Sequence, residues 1–205
     1  FKESSRLGGH DIYSSSKAAC EIITESYIKS FYQKSNCNIA TVRSGNCIGG
    51  GDWTKDRIIK DCVVSFLNNK KLALRSPNAT RPWQHVLEPL CGYLKLSEKL
   101  FFDKKGKYVG SWNFGPNTKY NLKVKDIAKL GKKILSSKSK IILENKKFYE
   151  SKNLSLDSTK SFKYLGWKTS LSDLQALKMT FEWFGIYYRK RKEVDLVQFS
   201  FQQIN

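Results

Sequence analysis

Short β-branched, apolar runs alternate along this chain with longer runs of helical periodicity, and that alternation restricts its fold more than any other feature of the sequence. Between Tyr13 and Tyr32, Ala19, Ile22, Ile23 and Tyr27 recur at three- and four-residue spacing with no Gly or Pro between them, which predicts a helix beginning near Tyr13. Ile39 to Arg43 reads as a short buried strand running into the glycine-rich loop Gly49 to Gly51. "DRIIKDCVVSFLNN" predicts a second amphipathic helix, with Ile58, Ile59, Cys62, Val63 and Phe66 on one side. "KLALRS", "GSWNFGP" and "KIIL" read as strands, and "RPWQHVLEPLCGYLKLSEKLFF" turns from an extended start into a helix ending near Phe102. Further helical stretches follow in "NLKVKDIAKLGKKILSS", "DSTKSFKYLGW" and "LSDLQALKMTFEWFGIYYRKR". Strands alternating with helices predict an α/β protein, and open α/β sheets bind ligands in loops that follow the carboxyl ends of strands.

Composition narrows the function classes. With 205 residues, 40% hydrophobic and 13% aromatic, the chain can bury one sizeable core or one and part of another. Lys and Arg outnumber Asp and Glu 37 to 18, a formal charge of +19, which admits nucleic acid, acidic membrane surfaces and phosphorylated small molecules as partners. The lysines are scattered, however, in pairs through the second half. Signatures of RNA-binding modules are missing, so solvated faces are the preferred reading of the charge and neither nucleic acid nor membrane is the expected partner, a basic nucleic-acid-binding domain being the outside alternative. The five cysteines are odd in number and form no CxxC pair, which suggests neither a disulfide framework nor a zinc site, and no metal is expected. The absence of an 18-residue apolar run or a signal peptide gives a cytoplasmic expectation.

Residues four apart on a helix stand one above the other, so Tyr13 and Lys17 can face one cleft. A free tyrosine is a poor base at neutral pH, and a neighbouring ammonium favours the phenolate. By itself the pair reads as an exposed helix start with a solvated lysine, since such spacings are common by chance. Context decides between these readings. "YSSSKAACE", "TVRSGNCIGGGDW", "DRIIKD", "TRPWQHVLEPLCGYL" and "WNFGP" follow one another in this order, and together they resemble the extended short-chain dehydrogenase/reductase superfamily. Within it the similarity is to the CDP-glucose 4,6-dehydratase family, from about Gly8 to the closing "LGW" and "FEWF" stretches.

The resemblance implies the carboxyl-terminal part of a Rossmann-like doubly wound parallel sheet, with a smaller mixed α/β nucleotide-sugar-binding domain. Residues 1–70 would belong to the NAD-binding domain and 71–205 mainly to the substrate domain, with some segments returning to the sheet. Twelve residues precede Tyr13, so the GxxGxxG turn of such enzymes, the Ser/Thr partner of the tyrosine and the elimination residues are expected upstream of Phe1. The chain is accordingly expected to be a carboxyl-terminal fragment, inactive alone. Gly49, Gly50 and Gly51 have the wrong spacing to replace that turn.

Carried over residue by residue, the resemblance makes Tyr13 the acceptor of the sugar 4-hydroxyl proton and Lys17 its partner and the holder of the nicotinamide ribose of NAD. Ser44 and Gly45 match the backbone beside the nicotinamide. Asn46 and Arg81 match residues that meet the substrate diphosphate, a planar guanidinium suiting paired phosphate oxygens. A loop asparagine bonding its own backbone is the other reading of Asn46. Arg57 is a second diphosphate candidate. His85 is a ligand contact or a structural histidine, and Glu150 aligns with the acidic position that contacts the nucleotide ribose, in a stretch departing from the family's usual run. Lys60 stands where a proline is usual. Trp53, Trp83, Trp112, Trp167 and Trp183 read as packing residues, Trp83 beside Arg81 also being able to shape the nucleotide pocket. The implied activity is NAD-dependent dehydration of CDP-glucose in deoxysugar and O-antigen biosynthesis, by a homodimer. Another nucleotide-sugar epimerase or dehydratase of the superfamily, and a non-catalytic nucleotide-sugar-binding remnant, are the alternatives.

Overall fold

The structure, a computed structural model, describes residues 1–33, 35–116, 122–144, 154–190 and 192–204. These fold into two compact units, each assembled from three stretches of chain. The first takes its residues from Phe1–Ser44, Leu87–Asn117 and Leu156–Lys168, the second from Gly45–Val86, Thr118–Ser155 and Thr169–Asn205. The chain first passes between these units at Ser44–Gly45.

In the first unit the helix α1, Ile12–Tyr27, continues as a π-helical turn, Ile28–Tyr32. Strand β1, Ala40–Ser44, pairs in parallel with β5, Gly110–Phe114, in the register Ala40 to Gly110 and Ser44 to Phe114. Helices α3, Leu87–Phe102, and α5, Thr159–Leu165, pack against β5. The core here is aromatic: Leu96, Trp112, Phe114, Leu165 and Trp167 are buried together. Phe114 meets Trp167 edge-on at 5.0 Å and Tyr93 at 5.3 Å, the arrangement ring quadrupoles favour. Each buried indole also satisfies its N–H, Trp112 donating to the Tyr108 carbonyl at 2.8 Å and Trp167 to that of Glu88 at 3.0 Å. Full burial of a side chain such as Phe114 contributes about 1.5–3 kcal/mol. Gly92 on α3 leaves room for it, since a Cβ there would overlap the Phe114 ring.

In the second unit, β2, Asn46–Ile48, pairs with β4, Trp83–His85, and β3, Leu72–Leu74, with β6, Ile141–Leu143, both in parallel. Helices α2, Ile58–Leu67, α4, Val124–Ile134, and α6, Asp173–Lys190, enclose a core that includes Val63, Phe66, Leu74, Ile127, Leu177 and Phe181. The pattern in α4 explains its placement: Val124, Ile127, Ala128, Gly131 and Ile134 line one face, and Lys125, Lys129, Lys132 and Lys133 take the other positions. Gly131 brings α4 against Phe181 of α6, and Arg189 near the end of α6 donates at 2.6 Å to the Leu135 carbonyl at the end of α4, a favourable place for a cation. A last helix, α7, Leu196–Ile204, attaches to α6 through the Trp183 indole donating to Ser200 Oγ at 3.0 Å. Among the described residues, no helix is long and apolar enough to cross a membrane.

Strand β2 and helix α7 were not foreseen; Cys47 and Ile48 lie in a strand where the sequence suggested only a run toward the glycine loop. Of the five tryptophans, Trp83, Trp112 and Trp167 are buried and Trp183 packs partly buried against the second core. Trp53 is half-exposed, but its ring lies 5.0 Å from Phe184 and 4.9 Å from Tyr187.

Candidate functional site

The first group of site residues is built on α1. Asp11 caps the helix: its Oδ1 accepts from the Ser14 N–H at 2.9 Å and its Oδ2 from the Ser14 hydroxyl at 2.6 Å. This satisfies an N-terminal donor that the helix leaves unpaired, and the same bonds hold the Asp11 carboxyl below its usual range. Tyr13 thereby sits in the first turn, with its side chain exposed and the Lys17 ammonium 5.7 Å from its ring centroid. The two polar groups therefore share one open face, as their spacing predicted. Only residues 33–39 separate the helical stretch from β1. Ser44 ends β1.

What orients α1 is largely polar. Its partly or fully buried positions are Ser14, Ala18, Glu21 and Thr24, whereas Ile12, Ile22, Ile23 and Tyr27 are exposed. Glu21 receives two bonds from Arg43 of β1, Nε to Oε1 at 2.7 Å and Nη2 to Oε2 at 2.6 Å. Both side chains retain only 18% of their exposure. The hydroxyls of Ser111 on β5 and Thr41 on β1 also point at Glu21 Oε2, at 3.3 and 3.5 Å. Sequence reasoning passed over Glu21 and Arg43. The available signal was the continuation of the four-residue step from Tyr13 through Lys17 to Glu21.

The second group lies in the second unit, on β2 and β4. The Asn46 N–H donates to the Pro82 carbonyl at 2.8 Å and Asn46 stands opposite Trp83 in the register. Asn46 and Arg81 are therefore brought together at one end of this parallel pair. Asn46 is the first residue of a strand. Arg81 is partly buried, its Nη1 donating to the Thr80 carbonyl at 2.7 Å, and Trp83 beside it fixes β4 by donating from its indole to the Leu122 carbonyl at 3.2 Å. His85 lies at the other end of β4, opposite Ile48. Burial lowers its pKa, keeping the imidazole neutral. Gly45 opens this unit and leads into β2. Arg57, preceding α2, is exposed and pairs loosely with Asp52, Nε to Oδ2 at 3.8 Å. Gly50, in the loop after β2, lies so close to the Trp183 indole that a Cβ there would overlap it. Glu150 lies outside the described residues.

Chemically, the first group offers a phenol beside an ammonium on an open helix face, and the second an amide and a guanidinium in a fixed register. The first suits proton transfer, the second recognition of an anionic ligand.

No protein-family model matches the chain. It is 34% identical over 195 residues to CDP-glucose 4,6-dehydratase of Salmonella typhimurium, an alignment covering 92% of this chain and 54% of that protein. The chain thus spans about half the length of the curated relative it matches. Among solved structures, dTDP-glucose 4,6-dehydratase from Streptomyces venezuelae with NAD bound is similar at a TM-score of 0.77 and 20% identity, covering 94% of this chain and 55% of that one. UDP-glucose 4-epimerase from Thermotoga maritima with UDP-glucose is similar at a TM-score of 0.69 and 19% identity, covering 88% and 53%. These likenesses establish the fold: α/β with parallel strands, of the Rossmann type seen in about half of each neighbour.

Proposed function

We propose that the chain is a member of the extended short-chain dehydrogenase/reductase superfamily and supplies the proton-transfer residues and part of the nucleotide-sugar site of an NAD-dependent CDP-glucose 4,6-dehydratase. The observation that carries this reading is the 34% identity to a CDP-glucose 4,6-dehydratase over 92% of the chain. The first unit is then the part that meets NAD, and the second the part that holds the nucleotide sugar.

The residues fit NAD at the point where it would be needed: Tyr13 and Lys17 share an open helix face, and Ser44 ends a parallel strand, where α/β sheets take their ligands. When bound, NAD would supply hydride acceptance at C4 of the sugar and hydride return at C6, leaving no net redox change. Tyr13 takes the proton of the 4-hydroxyl as the C4 hydrogen leaves. Lys17, 5.7 Å from the Tyr13 ring centroid, favours the charge that develops on the phenol oxygen and holds the nicotinamide ribose. The 4-keto group acidifies the C5 proton, and water is lost across C5 and C6. Ser44 and Gly45 line the nicotinamide with backbone. Asn46 and Arg81 hold the diphosphate, with Arg57 as an outer cation and Glu150 at the ribose. His85, neutral and buried, acts as a hydrogen-bonding wall of the substrate pocket.

The test is product formation by the protein expressed from its complete reading frame. With CDP-glucose and NAD it should yield a 4-keto-6-deoxy sugar nucleotide, detected by its ultraviolet absorbance in alkali. Turnover of only UDP- or dTDP-sugars would overturn the assigned base, and turnover of none would overturn the enzymatic reading.

A further inference from the structure

We propose that Glu21 and Arg43 are positioning residues for the Tyr13–Lys17 pair: their ion pair sets the rotation of α1 about its axis, and with it the direction in which the phenol and the ammonium are presented. The inference rests on the role given above to Tyr13 and Lys17.

Tyr13, Lys17 and Glu21 follow one another at four-residue steps, each turned about 40° from the last, so they form a stripe that winds along α1 from its open face toward the sheet. The lower end of that stripe is gripped. Arg43 meets Glu21 through two nitrogens on two oxygens, at 2.7 and 2.6 Å, and a planar fork on a planar carboxylate fixes orientation as well as distance. The guanidinium is itself held, since its Nη1 donates to the carbonyls of Lys2 at 3.4 Å and Glu3 at 3.3 Å. Ser111 Oγ, at 3.3 Å from Glu21 Oε2, ties the same carboxylate to β5, so Glu21 is bound to both strands of the sheet.

Hydrophobic packing cannot fix this helix in the same way. Ala18 is the one fully buried residue of α1, and the large apolar side chains Ile12, Ile22, Ile23 and Tyr27 point away from the sheet. An apolar stripe normally locks a helix against its sheet; here a carboxylate occupies the middle of the inward face. A rotation of about 20° at the roughly 5–6 Å radius of a helix with its side chains moves a side-chain tip by about 2 Å, and a misplacement of about 1 Å costs on the order of 100-fold in rate. The exposed pair Lys29–Glu25 on the same helix, at 2.6 Å, joins no strand and serves as the control.

The experiment compares Glu21→Gln, Glu25→Gln and the exchanged double variant Glu21→Arg with Arg43→Glu in the protein expressed from its complete reading frame. Steady-state turnover of nucleotide sugar and amide hydrogen exchange are read on each. Glu21→Gln should lower kcat about 10- to 100-fold with KM within about twofold, and should raise exchange over residues 13–27 while leaving α2, α4 and α6 unchanged. Glu25→Gln should match the parent, and the exchanged pair should recover at least part of kcat and of α1 protection. An unchanged kcat, unchanged exchange in α1, or exchange raised across all helices together would overturn the proposal. If the parent turns over no nucleotide sugar, the functional reading fails, and the exchange arm still decides whether the ion pair anchors α1.

Discussion

At the scale of single residues, the site divides into groups that the sequence exposes and groups that only the fold reveals. Tyr13 and Lys17 are legible because helical spacing dictates their common face, and the structure brings them together. Asn46 and Arg81 are 35 positions apart, and their adjacency depends on the β2–β4 register, which no local pattern encodes. Glu21 escaped notice because a Glu on a helix is ordinarily a solvated side chain; its burial follows from the long-range partner Arg43. His85 offers a test at this scale. Burial holds its pKa below the ordinary 6.5, so in acid the unfolded chain takes up a proton that the folded state refuses. The associated stability is full above 6.5 and is lost as pH falls through the lower folded value. In urea unfolding, the midpoint of the parent should drop between about pH 7.5 and 5.5 more than that of His85→Gln. Equal drops would remove His85 as the source.

At the scale of elements, α2 and α4 were predictable from apolar stripes that the fold buries, and α1 from one that it leaves exposed. The amphipathic patterns of α2 and α4 define them, and the observed helices lie within the predicted stretches. β2 is three residues long and precedes three glycines, so its turn chemistry dominated its weak strand signal. α7 follows a charged stretch and carries Val197, Phe201 and Ile204 exposed, which gives it no buried stripe to reveal it. α5 ends at Gly166, which adopts φ 60°; its N–H meets the Phe162 carbonyl and that of Trp167 the Ser161 carbonyl, a left-handed cap that delivers Trp167 to the core. A Cβ at Gly166 would meet nothing within 4 Å, so Gly166→Ala should cost only the left-handed backbone penalty, about 1–2 kcal/mol, in chemical denaturation. A loss well above that range would mean that the cap does more than turn the chain.

At the scale of the whole molecule, the α/β class followed from alternation, and the parallel pairing of the described strands agrees with it. The bounds of the two units have no local signal. Each unit is stitched from three separated stretches, and a chain that crosses repeatedly leaves no Pro- or Gly-rich linker to read. The formal charge of +19 is likewise a property of the whole chain, with lysines on the exposed faces of helices such as α4. The central claim, that Tyr13 transfers the proton in a nucleotide-sugar dehydration, is tested most directly by Tyr13→Phe in the protein expressed from its complete reading frame. CDP-glucose should bind within about twofold of the parent affinity while turnover falls by about 10²- to 10⁴-fold, the range of a lost general base; turnover equal to that of the parent would contradict the account.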